Sequence, residues 1–76
     1  MQVNVMLWGN LRRFAPHGVG SAVTEVAEDA TIEDLVAEMG AEHEVYAAAV
    51  NGKVVALSTR LSPDDRVFLF DHLHGG

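Results

Sequence analysis

The chain closes as His72-Leu73-His74-Gly75-Gly76, and one group there can do chemistry, the α-carboxylate of Gly76. A carboxylate is inert until it is activated, for example by adenylation. The two glycines carry no Cβ, so their backbone can take conformations closed to other residues and pass close to a partner's backbone. A tail without side chains therefore suits a narrow channel leading to an activating site. Many chains also end in frayed, glycine-containing tails that have no role. The weight of the reading rests on what comes before.

Other chemistries find little support. His72 and His74 lie at i, i+2, so on an extended tail both point the same way. With Asp71 nearby they could approach a metal ion, but two imidazoles without a third fixed ligand fall short of a zinc site, and no metal is expected. They are better suited to offering hydrogen bonds or a pH-dependent charge to an activating enzyme. His17 and His43 fall in polar connections. The absence of cysteine removes disulfides, thiolate metal sites and a cysteine nucleophile together. Ser21, Ser58 and Ser62 have no triad context. Gly18-x-Gly20 is too short for a phosphate loop and precedes a strand pattern, not a helix. No catalytic residue is expected: the chemistry is done to this protein, not by it.

Composition narrows the partners. The 76 residues carry 5 Lys and Arg against 11 Asp and Glu, a net charge of −6. Nucleic-acid binding needs clustered cations to neutralise phosphates, and here they are scattered, so nucleic acid is not expected as a partner. The charge can steer the chain toward a basic protein surface, or simply keep it soluble. No stretch reaches the roughly 20 apolar residues of a membrane span, and no basic n-region opens the chain. The expectation is one cytoplasmic domain, monomeric when free, without a membrane partner.

The elements that must hold the tail follow from periodicity. Gln2 to Trp8 alternates, with Val3, Val5 and Leu7 on one face. Residues 10–20, rich in Gly and with Pro16, read as an irregular connection that includes Arg12 and Arg13. Ser21 to Glu28 reads as a second, antiparallel strand. Thr31 opens a helix, and Asp34 three residues on completes a capping-box pattern. Ile32, Leu35, Val36 and Met39 form one apolar stripe, and Gly40 ends the helix. Val45 to Val50 is a strand with Tyr46, Ala48 and Val50 on one face. Asn51-Gly52 marks a tight hairpin, since both central residues of a type I′ turn need positive φ. Lys53 to Leu57 returns, Ser62-Pro63-Asp64-Asp65 turns, and Val67 to Phe70 is the last strand.

The order is β-β-α-β-β-β, an α+β pattern. With the apolar first and last strands parallel at the centre, it becomes a β-grasp (ubiquitin-like) fold: a mixed five-stranded sheet with one main helix packed across it. The expected boundaries are residues 1–70 for the β-grasp domain and 71–76 for a flexible C-terminal Gly-Gly tail.

Four motifs in this order resemble the MoaD/ThiS family of β-grasp sulfur carriers. They are Thr31-x-x-x-Leu35 at the helix start, Val50-Asn51-Gly52 at the hairpin, Leu61-x-x-x-Asp65-x-Val67 before the last strand, and the terminal Gly75-Gly76. The resemblance spans the whole chain. It implies that Gly76 is adenylated by a ubiquitin-activating-like adenylyltransferase and converted to a thiocarboxylate. Gly75, His74, Leu73 and His72 would thread the activating enzyme's channel. The implied partners are that enzyme, which uses ATP, a sulfurtransferase, and a sulfur-accepting synthase of molybdopterin, thiamine or related biosynthesis. No cofactor is expected to be bound by the carrier itself.

Two departures stand out. Molybdopterin carriers usually place Pro-Pro-Val-Ser/Ala before the glycines, where this chain has Asp71-His72-Leu73-His74. Family members commonly place Gly before the residue matching Asp65, where this chain has Asp64, and the expected effect is confined to the turn. The tail also resembles that of ubiquitin, with histidines in place of arginines. A modifier joined to protein lysines through Gly76 is therefore an alternative, and a non-covalent interaction module is a third, since one fold hosts many functions.

One further site is expected from the strand pattern. If Val3, Val5, Leu7, Val67 and Leu69 face the helix, then Met6, Trp8, Phe68 and Phe70 share the opposite face. Ala47 and Ala49 would extend it. Left uncovered, such an apolar face would dock a partner and hold Gly76 at a fixed reach. The competing arrangement folds Trp8 over residues 10–20 as a satellite core.

Overall fold

The computed structural model describes residues 1–7 and 21–71. Trp8, the connection containing Arg12, Arg13 and His17, and the tail residues His72, Leu73, His74, Gly75 and Gly76 lie outside the described residues. Six elements follow the expected order: β1 (Gln2–Leu7), β2 (Ser21–Glu25), α1 (Ile32–Glu38), β3 (Val45–Val50), β4 (Lys53–Val55) and β5 (Arg66–Asp71). They form one mixed sheet in the order β2-β1-β5-β3-β4.

β5 lies at the centre. It runs parallel to β1, with Val5 opposite Val67 and Leu7 opposite Leu69, and antiparallel to β3, with Ala48 opposite Leu69. Alternation does the rest. Val3, Val5 and Leu7 of β1 and Val67 and Leu69 of β5 join Ile32, Leu35 and Val36 of α1 in one buried cluster. Fully burying each such aliphatic side chain contributes about 1.5–3 kcal/mol before the entropy of ordering it is counted.

The helix ends are closed by local chemistry. The Thr31 hydroxyl accepts from the Asp34 amide at 3.2 Å, and the Asp34 carboxylate accepts from the Thr31 amide at 3.0 Å. The next two orphan amides, of Ile32 and Glu33, donate to the carbonyls of Thr59 and Leu57. The chain segment between β4 and β5 thus completes the helix start. At the other end Gly40 has φ +75°, the left-handed conformation that favours glycine. Its amide donates to the Ala37 carbonyl, and the Ala41 amide to that of Val36. These two bonds make a Schellman closure, and Ala41 tucks its side chain into the core.

Several expected boundaries move. β2 ends at Glu25, opposite Gln2, and beyond that pair Val26 still exchanges two hydrogen bonds with Met1, at 2.8 and 2.7 Å. β4 is only three residues long. β5 gains Arg66 and Asp71 at its ends. Asp71, expected to open the tail, is the last residue of β5. Asp71 is 4% exposed and opposite Val45, because the β3 backbone still offers a partner there. A break in register between Val45 and Ala47 also alters the faces of β3. Tyr46, expected to share a face with Ala48 and Val50, is exposed, while Val45 and Ala48 both enter the core. An extra residue on one strand disrupts the two-residue repeat in this way.

Replacing Thr31 with Ala removes the hydroxyl acceptor while leaving the buried stripe intact. The expected cost is about 1 kcal/mol of folding stability, read from urea unfolding midpoints. An unchanged midpoint would show that the bonds from Ile32 and Glu33 suffice to hold the helix start.

Candidate functional site: the outer sheet face and the end of the central strand

The tail is mounted on the central strand. Five residues follow Asp71, an extended reach of about 17 Å at ~3.3–3.6 Å per residue. Two ladders fix the place from which that reach is measured, since β5 is hydrogen-bonded on both sides.

The face of the sheet away from α1 is built by register. One row of paired residues crosses all five strands: Ser21, Met6, Phe68, Ala49 and Val54. One pair further along β5, Phe70 stands opposite Ala47. Met6, Phe68 and Phe70 thus share one face, as the alternation requires. Trp8 lies outside the described residues. The face is less bare than expected. Met6, Phe68 and Phe70 are half-buried, and Ala49 is 7% exposed although it lies outside the core cluster. The register supplies a reason: each phenylalanine stands beside an alanine, so ring and sheet shield part of one another. The strongly exposed apolar side chains lie toward the margins, Val23 at 63% and Val54 at 75%.

A polar clamp holds the start of β5. Asn51 and Gly52 both have positive φ, +52° and +88°, as the tight hairpin between β3 and β4 demands. The Asn51 side-chain amide donates to one Asp65 carboxylate oxygen at 2.9 Å, and the other accepts from the Ser62 amide at 2.7 Å. The Asn51 side-chain oxygen accepts from the Arg66 amide at 3.0 Å, while the Arg66 carbonyl accepts from the Asn51 amide at 2.9 Å. The Val50-Asn51-Gly52 and Asp65 motifs are therefore two halves of one structure. It sits at the end of β5 opposite the tail. Sequence spacing could not reveal it, because the partners are 14 residues apart. Asp64, where the family commonly has Gly, has φ +66°. Aspartate is among the few residues that tolerate this region, so the turn keeps its shape, and the Asp64 amide donates to the Gln2 carbonyl at 2.8 Å.

No group of three metal-ligating side chains occurs among the described residues. No helix among them is long and apolar enough to cross a membrane. What the arrangement offers is a tail root held on the central strand and an apolar face beside it.

A mixed sheet of this order crossed by one helix defines the β-grasp, ubiquitin-like class of proteins. The ThiS family pattern matches residues 5–76, and the chain belongs to that family. Solved structures agree. The chain is similar to SAMP1 from Haloferax volcanii, with 26% identity over 100% of both chains and a TM-score of 0.72. It is similar to a candidate molybdopterin converting factor subunit 1 from Pyrococcus furiosus, with 28% identity over 92% of this chain and 95% of that one and a TM-score of 0.74. A second structure of the Haloferax volcanii protein, small archaeal modifier protein 1, aligns at 24% identity and TM-score 0.72 and supports the fold alone. No curated protein matches the chain closely enough to count as a relative.

Removing the Asp65 carboxylate should loosen the clamp. Asp65→Ala leaves the Asn51 and Ser62 donors without their acceptor, at an expected cost of about 2 kcal/mol. Asp65→Asn should also destabilise, because the NH2 that replaces one carboxylate oxygen faces a donor and cannot accept from it. Chemical denaturation of the two variants checks this, and native-like stability in Asp65→Ala would refute it.

Proposed function

We propose that this protein is a sulfur carrier whose Gly76 carboxylate is the reacting group. The observation that carries the reading is the family match, which runs through the last residue, Gly76. The placement of the tail root on the central strand supports it. A ubiquitin-activating-like enzyme would bind the outer face around Met6, Trp8, Phe68 and Phe70, and draw residues 72–76 into its site. A Gly76 carboxylate oxygen attacks the α-phosphate of ATP, and pyrophosphate leaves. A persulfide on a sulfurtransferase then attacks the acyl carbon and AMP leaves, and a thiolate of a partner enzyme attacks the resulting acyl disulfide, releasing the thiocarboxylate and forming a disulfide on the partners. A synthase accepts the sulfur. The carrier contributes no catalytic group and acts as a co-substrate.

A second reading has its own observation. The full-length likeness to the Haloferax volcanii protein, described as a small archaeal modifier, favours a modifier joined to protein amines through Gly76. Both readings share adenylation and differ in the nucleophile that follows. Intact mass of protein isolated from its own cells separates them. An oxygen-for-sulfur gain supports the carrier, and a ladder of larger conjugates supports the modifier.

Deleting Gly76 should abolish ATP–pyrophosphate exchange by the cognate activating enzyme and leave the thermal midpoint unchanged, because a glycine has no side chain to contribute to a core. Exchange that survives the deletion would overturn both readings.

A further inference from the structure

The outer face differs in charge from the rest of the molecule. Acidic residues crowd α1 and its flanking turns, where Glu28, Asp29, Glu33, Asp34, Glu38 and Glu42 are all exposed. Among the described strand residues that face outward, only Glu25 and Arg66 are charged, and the Glu25 carboxylate lies 3.8 Å from the Met1 ammonium. Arg66 is exposed and forms no ion pair with any carboxylate among the described residues. The other described cations sit elsewhere. Lys53 is opposite the core-packed Val50, on the helix side of the sheet, and Arg60 bridges Thr31 at the helix start.

Arg66 stands opposite Asn4, which stands opposite Val23. A groove there is lined by Asn4, Met6, Ser21, Ala22, Val23 and Arg66. The Asn51 clamp holds the Arg66 backbone through both its amide and its carbonyl. The groove therefore has an aliphatic wall in Met6 and Val23, polar groups in Asn4 and Ser21, and a cation on a fixed backbone. It is continuous with the row through Met6 and Phe68.

We propose that this groove is a specificity element for the activating enzyme: an acidic side chain on that enzyme pairs with Arg66 while an aliphatic neighbour packs on Met6 and Val23. Charge complementarity selects this occupant. A guanidinium presents a planar fork of donors matched to a carboxylate, and in a chain of net charge −6 it is the one outward cation without a counter-ion among the described residues. Nucleic acid would need several such cations. The inference rests on the activation of Gly76 proposed above.

The test is ATP–pyrophosphate exchange with the full chain and the activating-type enzyme that supports exchange with the unaltered protein. Arg66→Glu should raise the KM for the chain at least tenfold, with kcat and the thermal midpoint unchanged. Arg66→Lys should retain most of the affinity. Arg66→Gln should fall between and lose most of the salt dependence of KM. Lys53→Glu makes the same change in net charge on the other side of the sheet and should alter KM less than twofold. An unchanged KM in Arg66→Glu overturns the proposal. So does an equal rise in Lys53→Glu, which would make the effect one of net charge. So does a dimer seen by sedimentation that Arg66→Glu dissolves with no change in KM, which would assign the groove to the acidic helix of a second copy. If the unaltered chain supports no exchange with any activating-type enzyme of its own cells, the proposed function fails first and this inference with it.

Discussion

The parallel pairing of β1 with β5 is the constraint on which the structure depends. It joins residues some 60 positions apart in the chain, Asn4 with Arg66 through Leu7 with Leu69. It also supplies the centre of the buried cluster. A contact between such distant segments costs loop-closure entropy before any burial is gained. Everything between the two strands shortens the search. The β1–β2 and β3–β4 pairs are antiparallel, α1 is closed at both ends by its own neighbours, and the Asn51–Asp65 clamp ties the second hairpin to the entry of β5.

The same pairing assigns the two faces. A strand shared by two ladders must turn alternate residues to opposite sides. Val67 and Leu69 then go to the helix, and Arg66, Phe68 and Phe70 to the outer face. The outer apolar face and the core are thus consequences of one register. A slip of one residue would bury Arg66 and Phe68 and expose Val67. The clamp opposes such a slip, because the Arg66 amide and carbonyl are both bonded to Asn51.

Much of this was legible in the sequence because the signals are local. The capping pair Thr31 and Asp34, the helix stop at Gly40 and the Asn51-Gly52 hairpin each depend on a few adjacent residues, and each forms as expected. Features that depend on a distant strand were not legible. Nothing in Asp71 itself indicates burial, since that depends on Val45 reaching opposite it. Tyr46 looks core-facing by alternation and is exposed because the register breaks beside it. The half-burial of Phe68 and Phe70 depends on which residues of β3 stand beside them. In the sequence Arg66 only separates a turn from a strand, and its isolation as a cation among the described residues becomes visible once the faces are assigned.

The position of β5 also governs how the molecule would bear a mechanical load. A partner that grips the tail pulls along the axis of the strand. The hydrogen bonds to β1 and β3 run across that axis, so tension loads both ladders together rather than opening one bond at a time. An edge strand would share the same pull with one neighbour only and could be peeled away. With β5 in the middle of the sheet, a pull on the residues that follow it would meet resistance to shear from both sides.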